Sequence, residues 1–278
     1  MPPEREKRPP VSVMRRILNL VLFGLLLLPA AAQPKHKNFT VSVYVRAYEV
    51  EKMKDTQWLE STWKTISSQL DVDKIYLETH RDMLLVDDAT LEKAKKFFQK
   101  QGLEVAGGIT YTISEPNDFE TFSYSDPKDR AWVQKVAETT ARHFDEFLLD
   151  DFFFTSSKKD GEIAAKGNRS WTEYRLERMN EAGRNLVVGP AKAVNPKVKC
   201  IIKYPNWYDD FQGLGFNLEW GPQIFDGVWT GTETRDPGHR GRRHGLLPVL
   251  ERGRHLIVAP AGTLVLPGGA EHRVQLDV

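Results

Sequence analysis

Apolar segments typical of buried strands alternate along this chain with amphipathic segments typical of helices. The predicted strands cover residues 39–48, 74–79, 104–113, 147–153, 197–204 and 224–229. The predicted helices cover residues 56–70, 89–101, 129–144, 171–188 and 209–216. Strands that are apolar along most of their length are buried on both faces, as in a parallel sheet covered by helices. The pattern predicts an α/β fold, a (β/α)8 TIM-barrel-like fold that is incomplete, with about six βα units.

A doubly wound nucleotide-binding sheet is the alternative architecture. No glycine-rich phosphate loop follows the first predicted strand, which disfavours it. In a barrel, functional residues gather at the carboxyl ends of the strands. A functional site is therefore expected at the strand ends.

The segment Phe144–Thr155 contains an apolar run that stops in two adjacent carboxylates, Asp150 and Asp151, followed by three phenylalanines. Adjacent carboxylates repel each other and resist desolvation, so at least one pKa should be shifted. Such a pair suits acid, base or nucleophile chemistry. The structural alternative is that one Asp caps the next helix and the other meets a basic side chain.

Polar and aromatic residues also collect at the other predicted strand ends. Carboxylates together with exposed aromatic rings are typical of a sugar-binding site. Core packing stays open as an alternative for the two tryptophans, and a hydrogen-bonded structural role is favoured for the histidine. The predicted binding residues are Tyr44, Glu78, His80, Tyr111, Lys203, Trp207 and Trp229.

The segment Asp145–Phe154 resembles the fourth strand of a family of TIM-barrel glycoside hydrolases whose motif runs Asp-Gly-x-x-x-Asp-Asp-Tyr-Phe. The resemblance covers residues 39–234 in organisation and about ten residues in motif. It implies that Asp150 is the nucleophile or stabiliser and that Glu233, after the sixth strand, is the general acid. The chain departs from the motif at Glu146, where the family usually has glycine.

Period-two alternation agrees with this assignment, because it places Leu148 and Asp150 on one face and Asp151 on the other. The predicted catalytic residues are therefore Asp150, Glu233 and Asp151. Two function classes stay open: a glycoside hydrolase acting on a poly- or oligosaccharide, and a carbohydrate-binding barrel, or inactive fragment, without catalysis.

Residues 1–32 are predicted to be a signal peptide, because an arginine pair precedes an apolar run and small residues end at Ala32. Met14 leaves open that residues 1–13 are an upstream extension. Cys200 is the only cysteine, so no intramolecular disulfide is expected. These features predict a secreted or periplasmic protein with no membrane association after cleavage.

The numbers of basic and acidic residues indicate which class of partner the protein binds. The chain has 39 Lys plus Arg against 38 Asp plus Glu, so no electrostatic footprint for nucleic acid is expected. A carbohydrate of little charge is the expected partner, and no cofactor or metal is implied.

Residues 235–278 differ sharply from the rest of the chain. No aromatic residue follows Trp229, no lysine follows Lys203, and this stretch holds four of the seven histidines. A shift of this size within a domain is unusual. It predicts a catalytic-type domain over residues 39–234 and an atypical tail produced by a lost reading frame near Arg235. A small β appendage and a His-rich metal site are the alternatives, and the His spacing matches no metal-ligand signature.

Overall fold

The computed structural model describes residues 39–205 and 212–230, together with the backbone of residues 262–264 and 273–275. The main sheet contains β1 (Ser42–Val45), β2 (Lys74–Arg81), β3 (Glu104–Ile109), β4 (Glu146–Leu149), β5 (Lys199–Tyr204) and β6 (Gly227–Thr230). These six strands lie in chain order, and each pairs in parallel with the next. The sheet curls into a half-barrel, so the predicted incomplete TIM-barrel-like α/β fold is confirmed.

Eight helices follow the strands in the described residues, and the four longest match predicted helices. The eight helices are α1 (Ala47–Lys52), α2 (Thr56–Ser67), α3 (Asp88–Lys100), α4 (Pro127–His143), α5 (Asp160–Lys166), α6 (Trp171–Ala182), α7 (Gly189–Val194) and α8 (Gly221–Ile224). A π-helical segment, Gly183–Val188, joins α6 to α7, and Gln212–Leu214 forms a 3-10 turn. The predicted helix over residues 209–216 lies partly outside the described residues, and its described part contains only this 3-10 turn. Within the described part of the chain, none of these helices is both long and apolar enough to cross a membrane.

Side-chain caps fix where several helices begin. Asp87 accepts a hydrogen bond from the Thr90 N–H at the start of α3. Asp126 does the same for two N–H groups at the start of α4. Ser170 and Glu173 form a reciprocal capping box at the start of α6. These polar side chains satisfy N–H groups that have no partner within the helix.

The two faces of the sheet have different neighbours. The outer face packs against the helices, and its buried side chains include Val43, Leu77 and Phe147. The inner face carries a separate buried cluster, called here the inner layer, which consists of Tyr44, Tyr76, Ala106, Leu148, Ile201 and Trp229. Alternation along each strand assigns successive residues to opposite faces.

Two adjacent glycines in β3 allow close approach on both faces. A Cβ atom on Gly107 would lie 2.7 Å from Thr140 Cγ2 in α4. A Cβ atom on Gly108 would lie 2.6 Å from the Tyr44 hydroxyl oxygen. Both distances are shorter than any real contact, so each glycine makes room for its neighbour.

Some predicted strands are longer than those observed. β1 ends at Val45, and Tyr48, expected in a strand, lies in α1. β4 ends at Leu149, because the Phe152 N–H donates to Asp150 O at 2.7 Å and turns the chain.

The end of the predicted third strand forms a hairpin of its own. Thr112–Ser114 pairs antiparallel with Glu120–Thr121, and we call residues 112–121 the β3–α4 hairpin. It follows the carboxyl end of β3. A two-residue strand, Leu84–Leu85, pairs with the end of β2.

Most of the predicted tail lies outside the described residues. Gly262–Leu264 pairs antiparallel with Arg273–Gln275, the pairing that the β-appendage alternative expects. The predicted signal peptide at residues 1–32 and the predicted domain boundary at residue 234 also lie outside the described residues. These domain assignments stay predictions.

Candidate active site

Asp150 lies at the carboxyl end of β4, on the inner side of the sheet. Its backbone N–H donates to Ile109 O at 2.9 Å, which continues the pairing between β3 and β4. The residue is 7% exposed, so its carboxyl group is largely removed from water. This end of a parallel barrel is the end that binds ligands.

Two cationic side chains and one hydroxyl group contact Asp150. Lys203 Nζ, on β5, lies 3.0 Å from Asp150 Oδ1. Arg81 Nη2 and Thr110 Oγ1 each lie 3.4 Å from Oδ2. The same Lys203 ammonium lies 3.7 Å from Asp151 Oδ2. One lysine therefore bridges the two adjacent carboxylates and offsets the repulsion between them.

These contacts determine the protonation state of Asp150. Burial alone raises the pKa of its carboxyl group, because it disfavours the charged form. The positive charges of Lys203 and Arg81 outweigh burial and lower the pKa from 3.8 to about 2. Asp150 is therefore ionised near neutral pH, the state that a nucleophile or an electrostatic stabiliser requires.

Glu78, on β2, is fully buried beside Asp150 and is surrounded by donors. Its Oε1 accepts hydrogen bonds from Tyr44 Oη and Arg81 Nη2, both at 2.9 Å. Its Oε2 accepts from Arg81 Nε at 2.8 Å and from the Ala47 N–H at 2.6 Å. Thr110 Oγ1 also donates to this carboxylate. Glu78 thus holds the Arg81 guanidinium in a two-pronged ion pair.

A β-bulge in β2 brings Arg81 into this cluster. The pairing between β2 and β3 shifts between Glu78 and His80. Strict alternation after Glu78 would place His80 on the inner face. Instead the chain sends both Thr79 and His80 to the outer face, where Thr79 Oγ1 lies 2.6 Å from Thr140 Oγ1. Arg81 then returns to the inner face.

His80 and Tyr111, two predicted binding residues, lie in the helix-facing core. Trp132 Nε1–H donates to His80 Nε2 at 2.9 Å, and His80 Nδ1 lies 2.7 Å from Thr110 O. Burial lowers the pKa of His80 to about 4, so the ring is neutral. Tyr111 donates its hydroxyl to Val133 O at 3.0 Å. The structure therefore places both side chains away from Asp150.

The other predicted site residues are distributed differently. Tyr44 and Trp229 belong to the inner layer, where the Trp229 ring packs edge-on against Tyr76 with ring centroids 5.5 Å apart. Trp207 and Glu233 lie outside the described residues, so their roles stay predictions.

A second polar network lies at the rim, next to Arg81. Asp82 follows β2, and its Oδ1 accepts from Thr112 Oγ1 at 2.6 Å and from the Glu115 N–H at 2.9 Å. Tyr48 Oη donates to Asp82 Oδ2 at 2.5 Å. The Glu115 carboxylate pairs with Arg81. This network fastens the β3–α4 hairpin to the end of β2.

Asp150, held by the residues around it, can stabilise positive charge on a bound molecule. The cluster offers one ionised carboxylate, Asp150, to an electron-poor centre, and it fixes that carboxylate through Lys203 and Arg81. Within residues 39–205 and 212–230, no three His, Cys, Asp or Glu side chains are arranged to hold a metal ion.

The chain matches a family model and a curated relative. A family model described as the catalytic domain of probable glycosyl hydrolases matches residues 29–246. An uncharacterized protein of Saccharolobus solfataricus is 32% identical over 251 residues, a match that covers 80% of this chain and 41% of the relative. The chain therefore spans less than half the length of this curated relative.

Proposed function

Because this chain belongs to the family of probable glycosyl hydrolase catalytic domains, we propose that it hydrolyses a glycosidic bond in a poly- or oligosaccharide through Asp150. The observation that carries the proposal is the environment of Asp150. This carboxylate is buried at the carboxyl end of the sheet and is kept ionised by Lys203 and Arg81. Glycosidases need such a carboxylate beside the anomeric carbon, where positive charge develops in the transition state.

The reaction needs a second carboxyl group that donates a proton. As the bond between the anomeric carbon and the leaving oxygen breaks, a general acid protonates that oxygen, and water finally supplies the hydroxyl group of the new sugar end. We assign the acid to Glu233 on the family resemblance. Asp151 shares Lys203 with Asp150, and its proposed role is to help hold that ammonium in place.

Lys203 and Arg81 are positioning residues in this scheme. Lys203 lies 3.0 Å from one Asp150 oxygen, and Arg81 lies 3.4 Å from the other. Held on both sides, the carboxylate cannot rotate freely, so its orientation is set before substrate arrives. Glu78 acts on Asp150 indirectly, because it holds the Arg81 guanidinium in place.

The test is hydrolysis of a panel of aryl glycosides and linkage-defined polysaccharides by the full chain and by Asp150→Asn. We expect Asp150→Asn to lower kcat/KM by at least ~100-fold, because the amide carries no charge to stabilise the transition state. Asp160→Asn is the matched control, since it makes the same change at an exposed residue of α5. Equal activity of wild type and Asp150→Asn would refute the proposal. Glycan binding without turnover by the wild type would instead support the non-catalytic carbohydrate-binding alternative.

The stereochemistry of the product separates the two roles open to Asp150. A nucleophile forms a covalent glycosyl intermediate, and the released sugar then keeps its anomeric configuration. A carboxylate that activates water inverts it. Proton NMR of freshly released sugar distinguishes these outcomes.

Export is a further part of the proposal. We propose that residues 1–32 direct secretion and are removed after Ala32. N-terminal sequencing of protein recovered from the periplasm or medium of an expressing bacterium should begin at Gln33. Recovery of an intact N-terminus from the cytoplasm would count against it.

A further inference from the structure

Phe119 is an exposed aromatic residue at the tip of the β3–α4 hairpin. It is 44% exposed, although its ring stacks on Phe152 with ring centroids 5.3 Å apart and 23° between the planes. Stacking covers one face of the Phe119 ring. The exposed fraction shows that much of the rest of the side chain is in contact with solvent.

The backbone at this tip is strained. Phe119 has φ of 52°, and its neighbour Asp118 has φ of 51°. This left-handed region is disfavoured for residues with a Cβ atom, and glycine or asparagine usually occupies it. The chain therefore keeps a large aromatic side chain where glycine would relieve strain. Backbone preference does not explain this choice, and burial explains only part of it.

The aromatic pair is connected to the candidate active site by two chain segments. Phe152 is the second residue after Asp150. The hairpin that carries Phe119 also carries Glu115, which pairs with Arg81. Arg81 Nη2 in turn lies 3.4 Å from Asp150 Oδ2. Phe119 and Phe152 thus belong to the loops at the same end of the sheet as the carboxylate.

An accessible phenyl ring at this end suits one face of a pyranose. The C–H groups on a sugar face carry slight positive charge, and the face of an aromatic ring is negative. We propose that Phe119, supported from behind by Phe152, is a stacking subsite for a sugar unit of the carbohydrate chain bound at Asp150. This inference rests on the proposed function, because it takes its ligand class from it.

Binding of hexasaccharides tests the subsite. The probes are cellohexaose, maltohexaose, xylohexaose, mannohexaose and chitohexaose, titrated calorimetrically into the full chain carrying Asp150→Asn, in which turnover is expected to be too slow to disturb the titration. We expect Phe119→Ala to weaken binding by about 3- to 10-fold and Phe119→Tyr to preserve it. Phe97→Ala is the matched control, because Phe97 is a partly buried phenylalanine in the last turn of α3, on the amino-end side of the sheet. Its affinity should be unchanged.

A glycine variant separates sugar binding from support of the hairpin. Glycine adopts φ of 52° without strain, whereas alanine keeps the strain, so Phe119→Gly should weaken binding as Phe119→Ala does while its Tm stays equal to or above that of Phe119→Ala. A large fall in Tm would mean that the ring serves to hold the hairpin, and the subsite would be refuted.

The remaining outcomes are also decisive. Unchanged affinity of Phe119→Ala, an equal loss in Phe97→Ala, or no binding of any hexasaccharide would each overturn the subsite. Failure of the proposed hydrolysis is a separate result. If Asp150→Asn were as active as the wild type, the hydrolytic role of Asp150 would fall, and the Phe119 variants would then be compared through KM for the hydrolysed hexasaccharide, which still decides the subsite.

Discussion

The two ends of the inner face both carry charged side chains, but the central charge has opposite sign. At the amino end, Lys74 Nζ lies 3.0 Å from Glu104 Oε1 and 2.6 Å from Glu146 Oε1. Tyr76 Oη also donates to Glu146 at 2.9 Å. At the carboxyl end, the centre is instead a carboxylate, Asp150, with a cation on each side. The inner layer lies between the two clusters.

The two clusters contain the same residue types, lysine and carboxylates, but the charge at the centre decides what each cluster can do. An ionised carboxylate between cations can meet developing positive charge on a substrate, whereas a lysine between carboxylates neutralises the sheet interior. Barrel enzymes place catalytic groups at the carboxyl end and stabilising groups at the amino end. Glu146, which stands where the motif that this segment resembles has glycine, belongs to the cluster at the amino end. The departure from the motif therefore leaves the surroundings of Asp150 intact.

The largest expected effect is on stability at the carboxyl end. Arg81→Met should lower the free energy of unfolding by about 3–5 kcal/mol, because Glu78 would stay buried without its cation. Urea unfolding measures this loss. Arg169→Met is the control, since Arg169 pairs with Glu177 at the surface and should contribute less than about 1 kcal/mol. Equal losses in the free energy of unfolding would mean that the buried ion pair contributes no more to stability than a surface pair does.

The second effect is the pH dependence of stability. The folded-state pKa of Asp150 lies below the ordinary value, so its carboxylate stabilises the fold above pH 4, and this contribution is lost as the pH falls through about 2. From the shift between 3.8 and about 2, wild type should lose about 2 kcal/mol more than Asp150→Asn between pH 6 and pH 2. Denaturant titrations across this range provide the comparison. Parallel curves would show that Asp150 is not held ionised by its partners.

The third prediction compares Lys203 with Lys74 through the pH dependence of kcat/KM. Lys203→Met removes the strongest charge that lowers the pKa of Asp150, so the acid limb of the kcat/KM profile should move to higher pH by about one unit or more. Lys74→Met should leave that limb in place, because Lys74 belongs to the other end of the sheet. A shift of similar size in both variants would remove the distinction between the ends.

The smallest expected change in stability is at Glu104, the most exposed residue of the cluster around Lys74. The Glu104 side chain is 67% exposed, and exposed ion pairs contribute little. Glu104→Gln should change the free energy of unfolding by less than about 0.5 kcal/mol. Thermal unfolding of this variant beside Glu146→Gln checks the ranking, with the larger loss expected for Glu146, whose side chain is 19% exposed.

Hydrophobic patterning predicted the order of the six core strands and of the four longest helices, because each core strand contains a run of apolar residues and each of these helices is amphipathic. It did not predict where strands end, since ends depend on local hydrogen bonds such as the one from the Phe152 N–H to Asp150 O. Period-two alternation assigned Asp150 to the inner side. The same alternation from Ala106 through Gly108 assigns Thr110 to the inner side as well, but threonine is neither aromatic nor charged, so its residue type did not mark it as a site residue.

Arg81 stands at the end of the second predicted strand, but alternation does not assign it to the inner face. The bulge after Glu78 leaves no mark in composition or hydrophobicity, and regular alternation selects His80 for the inner face. Glu78 was predicted as a binding residue, whereas its hydrogen bonds show that its carboxylate is occupied by protein donors. Side-chain partners, unlike strand positions, depend on neighbouring strands that are distant in the sequence.

The bulge in β2 also affects how relatives should be aligned with this chain. Glu78 and Arg81 lie on one face although they are three residues apart, whereas residues on one face of a regular strand are an even number apart. A relative with a regular second strand would carry the same ion pair two residues apart. An alignment gap opposite Thr79 would preserve that contact, while a gapless alignment would match Arg81 to a residue that faces the helices.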